Sequence, residues 1–339
     1  MGLITGPLEA RAVDGFVDSF LADRRSAIVG GASAALGLSP EGALTFSAVH
    51  ACAKVLAETV ASLPLFVYRR LDRGKERAPG HPLYSLLHDQ PNSESSSFEF
   101  RETAMLHLVL RGNAYCLKEL DKAGRVIGLR TIDPRAIEVR VREKTREILY
   151  LVKPGYGEEP RMLSRKQVFH VRGMGSDGVV GYSPITLARN AIHTGMVAEE
   201  HGSRLFANDA RPGGLLEHPG KLSEEAYKRL KGSWESSHAG ASNAHKVDIL
   251  EEGMKWSSVG QMSNDDSQWL ETRKFQMSEI ARIFRVPPQY VGDLDRATFS
   301  NVEQQAIDFV VHTIRPWLVR WEQAIRPSAL PGSAYALRP

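Results

Sequence analysis

Residues 183–209 read SPITLARNAIHTGMVAEEHGSRLFAND, and residues 264–288 read NDDSQWLETRKFQMSEIARIFRVPP. Both are helical stretches, and the segment they frame decides the fold. Ser183 followed by Pro184 is an N-cap with proline at the first helical position. Nothing stops that helix before Asp209, and at ~1.5 Å per residue it would be about 39 Å long. Its apolar face (Ile185, Ala188, Ile192, Met196) is weak, and Gly195, Ala198, Gly202 and Ser203 keep it slim. Such a helix is a poor core element for a monomer and suits tight packing against identical neighbours. The second stretch is capped at Asn264 or Asp265 and ended by Pro287 and Pro288. The two helices would run antiparallel. Between them lies a small αβ insert: strand GLLEH (214–218), a helix over 223–235 and strand HKVDILEEG (245–253). Leu222 and Tyr227 stand where a hydrophobic staple would hold the start of the insert's helix.

Upstream, the pattern is α+β. Val49, Cys52, Leu56, Val60 and Leu63 recur at steps of three and four, with Ser47 as N-cap and Pro64 as stop. LFVYRRL (65–71) reads as a strand and HPLYSLL (81–87) as a short helix. Ser96 with Glu99 is a capping box for a helix closed by Gly112. Strands come next at AYCLKEL (114–120), VIGLRTI (126–132), AIEVRVR (136–142), EILYLV (147–152) and QVFHVR (167–172). Helices followed by strands, without strict βαβ alternation, give this class. Downstream, the loop VGDLDRATF (291–299) precedes a second capping box, Ser300 with Glu303. That box opens a helix with the stripe Val302, Ala306, Phe309, Val310, Trp317, Trp321 and Ile325, kinked by Pro316. Residues 1–44 read as an arm with a short helix around Val17–Arg25, and 328–339 as a short unstructured tail.

Composition narrows the function. With 42% hydrophobic and 24% charged residues the chain is not wholesale disordered, and a net charge of +3 is too small a bias to argue for nucleic acid or membrane. Two isolated cysteines, Cys52 and Cys116, exclude a disulfide framework or a cysteine zinc site. The N-terminus has no basic start with an apolar core, and Gly6 stands where myristoylation wants Ser or Thr. The uncharged stretch Ser26–Pro40 is too short and too rich in small residues to span a bilayer. A soluble, non-secreted protein without membrane contact is expected. Eleven histidines include no H-x-H or H-E-x-x-H, so no metal and no cofactor is expected. Adjacent carboxylates such as Glu199–Glu200 diverge on a helix rather than converge. Gly173-Met-Gly175-Ser-Asp-Gly178 is a formal G-x-G-x-x-G, but the next helix starts several residues too late for a dinucleotide cradle. A flexible strand-to-helix connection is the better account of it. A nucleotide-binding enzyme using Gly173–Gly178 stands as the alternative to a non-enzymatic reading.

The blocks AVHACAKVLAETVASLPLFVYRR, HPLYSLLHDQPN, FEFRETAMLHLVLRGNAY, GVVGYSPITLAR, EEHGSRLFANDARPGGLLEHPG, ETRKFQMSEIARIFRVPPQYVGDL and ATFSNVEQQAIDFVVHTIRPWLVRWEQAI, in this order, resemble the portal proteins of tailed bacteriophages. The resemblance is to the branch found in long-tailed phages, prophages and gene-transfer agents, and covers about Phe46 to Arg326. It implies a ring, usually of twelve subunits, at one capsid vertex of the virion, through which double-stranded DNA is packaged, retained and ejected. It also implies partners: the terminase large subunit, a head-completion or adaptor protein, and the major capsid protein. By resemblance, 45–182 is the wing, 183–211 and 263–288 the stem, 212–262 the clip, 289–300 the tunnel loop and 301–327 the kinked wing helix, with a crown reduced or absent. The tunnel-loop residues Asp293, Leu294, Asp295, Arg296 and Thr298 would face the DNA. Lys228, Arg229, Lys231, Glu251 and Glu252 would meet motor or adaptor in the clip, and Pro316 would set the bend.

Overall fold

The computed structural model describes residues 38–153, 159–207, 215–238, 253–257, 264–292, 299–329 and 335–338. They fall into two compact units. One comprises the chain up to Met196 together with the part from Phe275 onward, the other Val197–Lys274.

The first unit begins earlier than the composition suggests. Ser39 accepts a hydrogen bond from the Gly42 amide at 2.9 Å and so caps one helical turn, α1 (Pro40–Ala43). Ala43 is fully buried and Glu41 pairs with Arg111 at 2.6 Å, so the expected arm has joined the fold by residue 38. The short helix expected around Val17–Arg25 lies outside the described residues. In α2 (Ser47–Ser62) the expected stripe is buried, but Ser47 is a helical residue rather than the cap. Phe46 occupies the cap position without a side-chain bond, and its ring is itself buried. Burying an aromatic ring outweighs the roughly 1 kcal/mol of a serine cap.

After β1 (Phe66–Arg70), β2 (Lys75–Arg77) and α3 (Pro82–His88) comes α4 (Ser97–Arg111). It has the expected reciprocal cap: the Glu99 amide donates to Ser96 Oγ at 3.3 Å and the Ser96 amide to Glu99 Oε2 at 2.8 Å. Gly112 ends it at φ 73°. Phe100, Ala104, Met105 and Leu108 pack against Cys52, Leu56 and Val60 of α2 in one apolar core. Two antiparallel sheets come after it. β3 (Asn113–Leu120) lies between β4 (Val126–Ile132) and β8 (Val168–Arg172), with Cys116 opposite Thr131 and Phe169. β6 (Ile148–Val152) lies between β5 (Ile137–Val141) and β7 (Arg161–Ser164). All five runs expected between 114 and 172 are strands at nearly the expected bounds. The missed β2 is three exposed residues and the missed β7 only four, two of them exposed, so neither carries an apolar alternation.

The helix expected without interruption from Pro184 is in two pieces. α5 (Pro184–Leu187) ends at Ala188 (φ −96°, ψ 9°), and α6 (Arg189–Ala207) continues from there. Alanine is the best helix former, so the break comes from tertiary structure. Ser183 Oγ is held by the Leu110 carbonyl at 2.6 Å while Ile185 and Ile192 are both sunk in the core.

The second unit holds β9 (Leu215–Glu217), α7 (Glu224–His238) and β10 (Lys255–Ser257). Trp256 lies opposite Leu216 in an antiparallel pair. The expected partner strand 245–253 lies outside the described residues but for Gly253, and the observed partner is the run just after it. α8 (Asn264–Phe284) leads back into the first unit. There α9 (Phe299–Asp308) starts one residue before the expected cap Ser300, passes through six residues of π-helix (Phe309–Ile314), and continues as α10 (Arg315–Ala329). The tail expected to be unstructured forms a strand instead, β11 (Tyr335–Arg338), antiparallel to β1 with Val67 opposite Leu337. Its proline- and glycine-rich lead-in hides an alternating YALR that completes the β1 edge.

Leu108, fully buried between α2 and the sheet, should cost about 2–5 kcal/mol as Leu108→Ala. The exposed Ile127→Ala should change stability by less than about 0.5 kcal/mol. Urea unfolding of both variants checks this, and equal losses would put the core elsewhere.

Candidate channel and docking elements

Three places carry the geometry that bears on function, and the first is a junction of backbones. Gly112, Gly173 and Gly181 come from the end of α4, the end of β8 and the approach to α5, and they meet at backbone contact. The Gly173 amide donates to the Gly112 carbonyl at 2.8 Å. A Cβ on Gly181 would overlap that same carbonyl oxygen, and one on Gly112 would overlap the Tyr182 carbonyl. Asn113 closes the junction. Its Oδ1 accepts from the Gly181 amide at 2.7 Å and its Nδ2 donates to the Gly181 carbonyl at 2.7 Å. His170 Nε2 meets Asn113 Oδ1 at 3.0 Å and His170 Nδ1 meets the Tyr150 hydroxyl at 3.3 Å. With Oδ1 an acceptor, the ring is neutral with its proton on Nε2. Burial, and then the nearby Arg172 and Arg165, hold His170 well below the usual histidine range. Arg320 of α10 donates to the Gly173 carbonyl at 2.9 Å, tying the long helix to the same point.

This junction corrects the reading of Gly173–Gly178 as a flexible connection. The segment is largely exposed but tied down, with the Tyr182 amide bonded to the Met174 carbonyl at 2.7 Å and Arg172 bonded to the Gly178 carbonyl. Asp177 spends its Oδ1 on the amides of Val179 and Val180. Gly173 and Gly175 serve close backbone packing, whereas Gly178 supplies a left-handed turn residue at φ 69° in open space. The loop also borders a cavity of about 470 Å³ lined by Tyr150, His170, Arg165, Arg172 and Arg320. Among the described residues no group of His, Cys, Asp or Glu could hold a metal ion.

The second place is the root of the segment expected to be the tunnel loop. Asp293, Leu294, Asp295, Arg296 and Thr298 lie outside the described residues, but the chain on either side is anchored. Before the loop, a 3-10 turn (Pro288–Val291) ends at Gly292 with φ 89°. The rings of Tyr290 and Phe309 meet at a tilt of 32° with centroids 4.9 Å apart, which ties the turn to the π segment. Thr313, buried in that segment, donates to the Arg285 carbonyl at 2.6 Å. Arg285 is held at φ 56°, in the left-handed region that a non-glycine residue seldom adopts. The π-helix faces both Phe309 and Thr313 toward this root. The sequence carries no signal for a π segment, and the irregularity expected at Pro316 falls just before it. Pro316 itself stands exposed in the first turn of α10.

The third is the second unit. Ser223 caps α7 by accepting from the Ala226 amide at 3.2 Å. Lys228 and Arg229 are exposed, and Lys228 pairs with Glu224 at 3.4 Å, one turn earlier. Lys231 is exposed on the same helix, while Glu251 and Glu252 lie outside the described residues. Tyr227, the expected staple, is 55% exposed. In the same unit Arg273 of α8 meets Glu199 of α6 at 3.4 Å. In the first unit, Gln276 Oε1 lies 3.7 Å from where a Cβ on Gly195 would sit.

Taken together these elements define an α+β chain in which a small αβ insert lies in sequence between the long helices α6 and α8, as in the portal fold. The phage portal protein family matches residues 47–338, and the chain belongs to that family. It is 38% identical to the probable portal protein of Streptomyces phage phiC31 over 306 residues, 86% of this chain and 66% of the relative. It is 32% identical to the portal protein of Enterobacteria phage HK97, over 87% of this chain and 69% of the relative. The chain thus spans about two thirds of the length of these relatives. It is also similar to a chain in the neck of an empty GTA (gene transfer agent) particle computed with C6 symmetry. That likeness has 26% identity and a TM-score of 0.66, over 85% of this chain and 79% of the other.

The junction histidine makes stability depend on pH. His170 resists protonation when folded, so below about pH 6.5 the unfolded chain binds more protons. Its contribution is therefore constant above that pH and is lost on acidification. His81 and His107 are depressed by burial in the same direction. His170→Gln should make the fall in unfolding free energy between pH 7.5 and pH 5 shallower. An unchanged slope in urea unfolding at the two pH values would show that His170 is not buried as the neutral form.

Proposed function

We propose that the chain is the subunit of a closed ring at the portal vertex of a phage or gene-transfer-agent particle, where double-stranded DNA passes through the centre. The ring would be dodecameric, non-enzymatic and without cofactor. The observation that carries this is the family match across nearly the whole chain, on a fold that leaves an apolar row uncovered. Ile307, Val310 and Val311, at i, i+3 and i+4 of the α9–π segment, are all exposed in the isolated chain. A row of that kind on a structured helix marks a protein contact. The likeness to a neck chain computed with C6 symmetry supports a cyclic arrangement. Pro316, next to the π segment, is assigned to the bend that sets the angle between subunits.

Within the ring, residues 183–211 and 263–288 are assigned to the stem, 212–262 to the clip and 289–300 to the tunnel loop. The weak net charge suits a conduit. Every cation held to a phosphate adds salt-dependent attraction, and ring symmetry multiplies it by the number of subunits. The loop is accordingly mixed, with Asp293 and Asp295 beside Arg296. The clip helix, with Lys228, Arg229 and Lys231, and the segment with Glu251 and Glu252 are assigned to the terminase large subunit during packaging and to the adaptor afterwards. The major capsid protein is assigned to the outside of the ring.

Val310→Asp should shift native mass spectra from closed rings toward monomers and small oligomers, and Pro316→Ala should change ring size or closure. Rings of unchanged stoichiometry in both variants would remove these two assignments. In a packaging assay, Arg296→Glu should reduce DNA retention. Neutralising Lys228, Arg229 and Lys231 together should weaken motor docking. Wild-type packaging and retention in both would contradict the roles given to loop and clip.

A further inference from the structure

A buried charge without a counter-charge sits in the core of the first unit. Arg101 of α4 is 5% exposed, and its guanidinium is held by Nη1 donating to the Leu63 carbonyl at 2.9 Å and Nη2 to Ser97 Oγ at 3.4 Å. No carboxylate pairs with it among the described residues, and its Nε–H, also buried, has no partner. Burial disfavours the charged form, yet a guanidinium does not give up its proton in a protein. On the facing helix, Trp321 is 1% exposed and its indole Nε1–H is likewise buried without a partner. Both residues line the same cavity, of about 10 Å³, completed by Val60, Leu63, Leu65 and Leu318. That is room for a single particle of about the size of a water molecule.

Two orphaned donors and one positive charge without a carboxylate partner among the described residues thus belong to side chains that line a space for one small acceptor. A water there would accept both hydrogen bonds but would leave the charge unbalanced, and its own hydrogens would face aliphatic side chains. A monovalent anion accepts both bonds, offers no hydrogens and neutralises the guanidinium. We propose that this cavity is a binding site for one halide ion, chloride under ordinary conditions, held between Arg101 Nε and Trp321 Nε1. The ion would join α4 to α10, and so the first helical layer to the long helix beyond the π segment. The inference is independent of the ring and of DNA, since it rests on one chain's core.

The test uses the full chain. In crystals grown in bromide in place of chloride, an anomalous peak should lie between Arg101 Nε and Trp321 Nε1. In solution at fixed pH and ionic strength, replacing gluconate by chloride should raise the thermal midpoint saturably, by about 2 °C or more. Arg101→Met removes the charge and should abolish the chloride dependence. Should that variant not fold, Trp321→Phe keeps an aromatic ring, removes the second donor and should shift the chloride dependence to higher concentration by several fold. No anomalous peak, together with a wild-type midpoint indifferent to chloride, would overturn the site and leave it to water.

Discussion

Three glycine backbones in contact set the terms for the rest of the first unit. Gly112, Gly173 and Gly181 bring the end of α4, the end of β8 and the approach to α5 closer than any side chain would permit. Asn113 then satisfies both polar groups of the Gly181 peptide position with one amide side chain. A buried amide with its hydrogen bonds made is stabilising, and one left unmade is costly, so the junction tolerates little variation. Its consequence is directional. The helix that leaves toward the second unit starts from a fixed point, with Ser183 pinned to Leu110 and Arg320 pinning the long helix to the Gly173 carbonyl.

Rigidity at that point sits beside a different organisation at the loop root. There the chain is held by Phe309 against the Tyr290 ring and by Thr313 on the Arg285 carbonyl, Phe309 and Thr313 both coming from the π segment. A π-helix rotates the faces of the α-helix beyond it and is often found at functional positions. In a subunit proposed to line a channel, this arrangement holds the ends of a short, charge-mixed loop while leaving its tip free of a basic run. In the proposed conduit, a loop of that composition would keep affinity for phosphate low.

Much of the first unit was legible in the chain. The stripes of α2 and α4, the Ser96–Glu99 box, the Gly112 cap and the strands β3 to β6 and β8 all rest on local patterns of spacing or turn chemistry. The features that escaped were set by tertiary structure. The break at Ala188 comes from burial on both sides of a good helix former, and the π segment has no composition of its own. β11 is a four-residue strand behind a proline- and glycine-rich stretch, recognisable only once β1 is seen to need a partner. The backbone contacts of Gly173 with Gly112 and Gly181 escaped the sequence reading, because close packing between distant glycines leaves no trace in sequence spacing. Asn113, Thr313 and Arg320 were not singled out for the same reason. Of the residues expected to face DNA or partners, Lys228, Arg229 and Lys231 share an exposed helix, whereas the tunnel-loop set and the Glu251–Glu252 pair lie outside the described residues.

The central claim is that this chain builds a ring with an open axis. Single-particle imaging of the purified protein at low and high salt tests it most directly. The account predicts closed rings near twelve copies with a central opening wide enough for a DNA duplex, with the exposed Ile307–Val311 row buried between neighbouring subunits. A monomer or compact dimer under every condition, with that row still facing solvent, would contradict it.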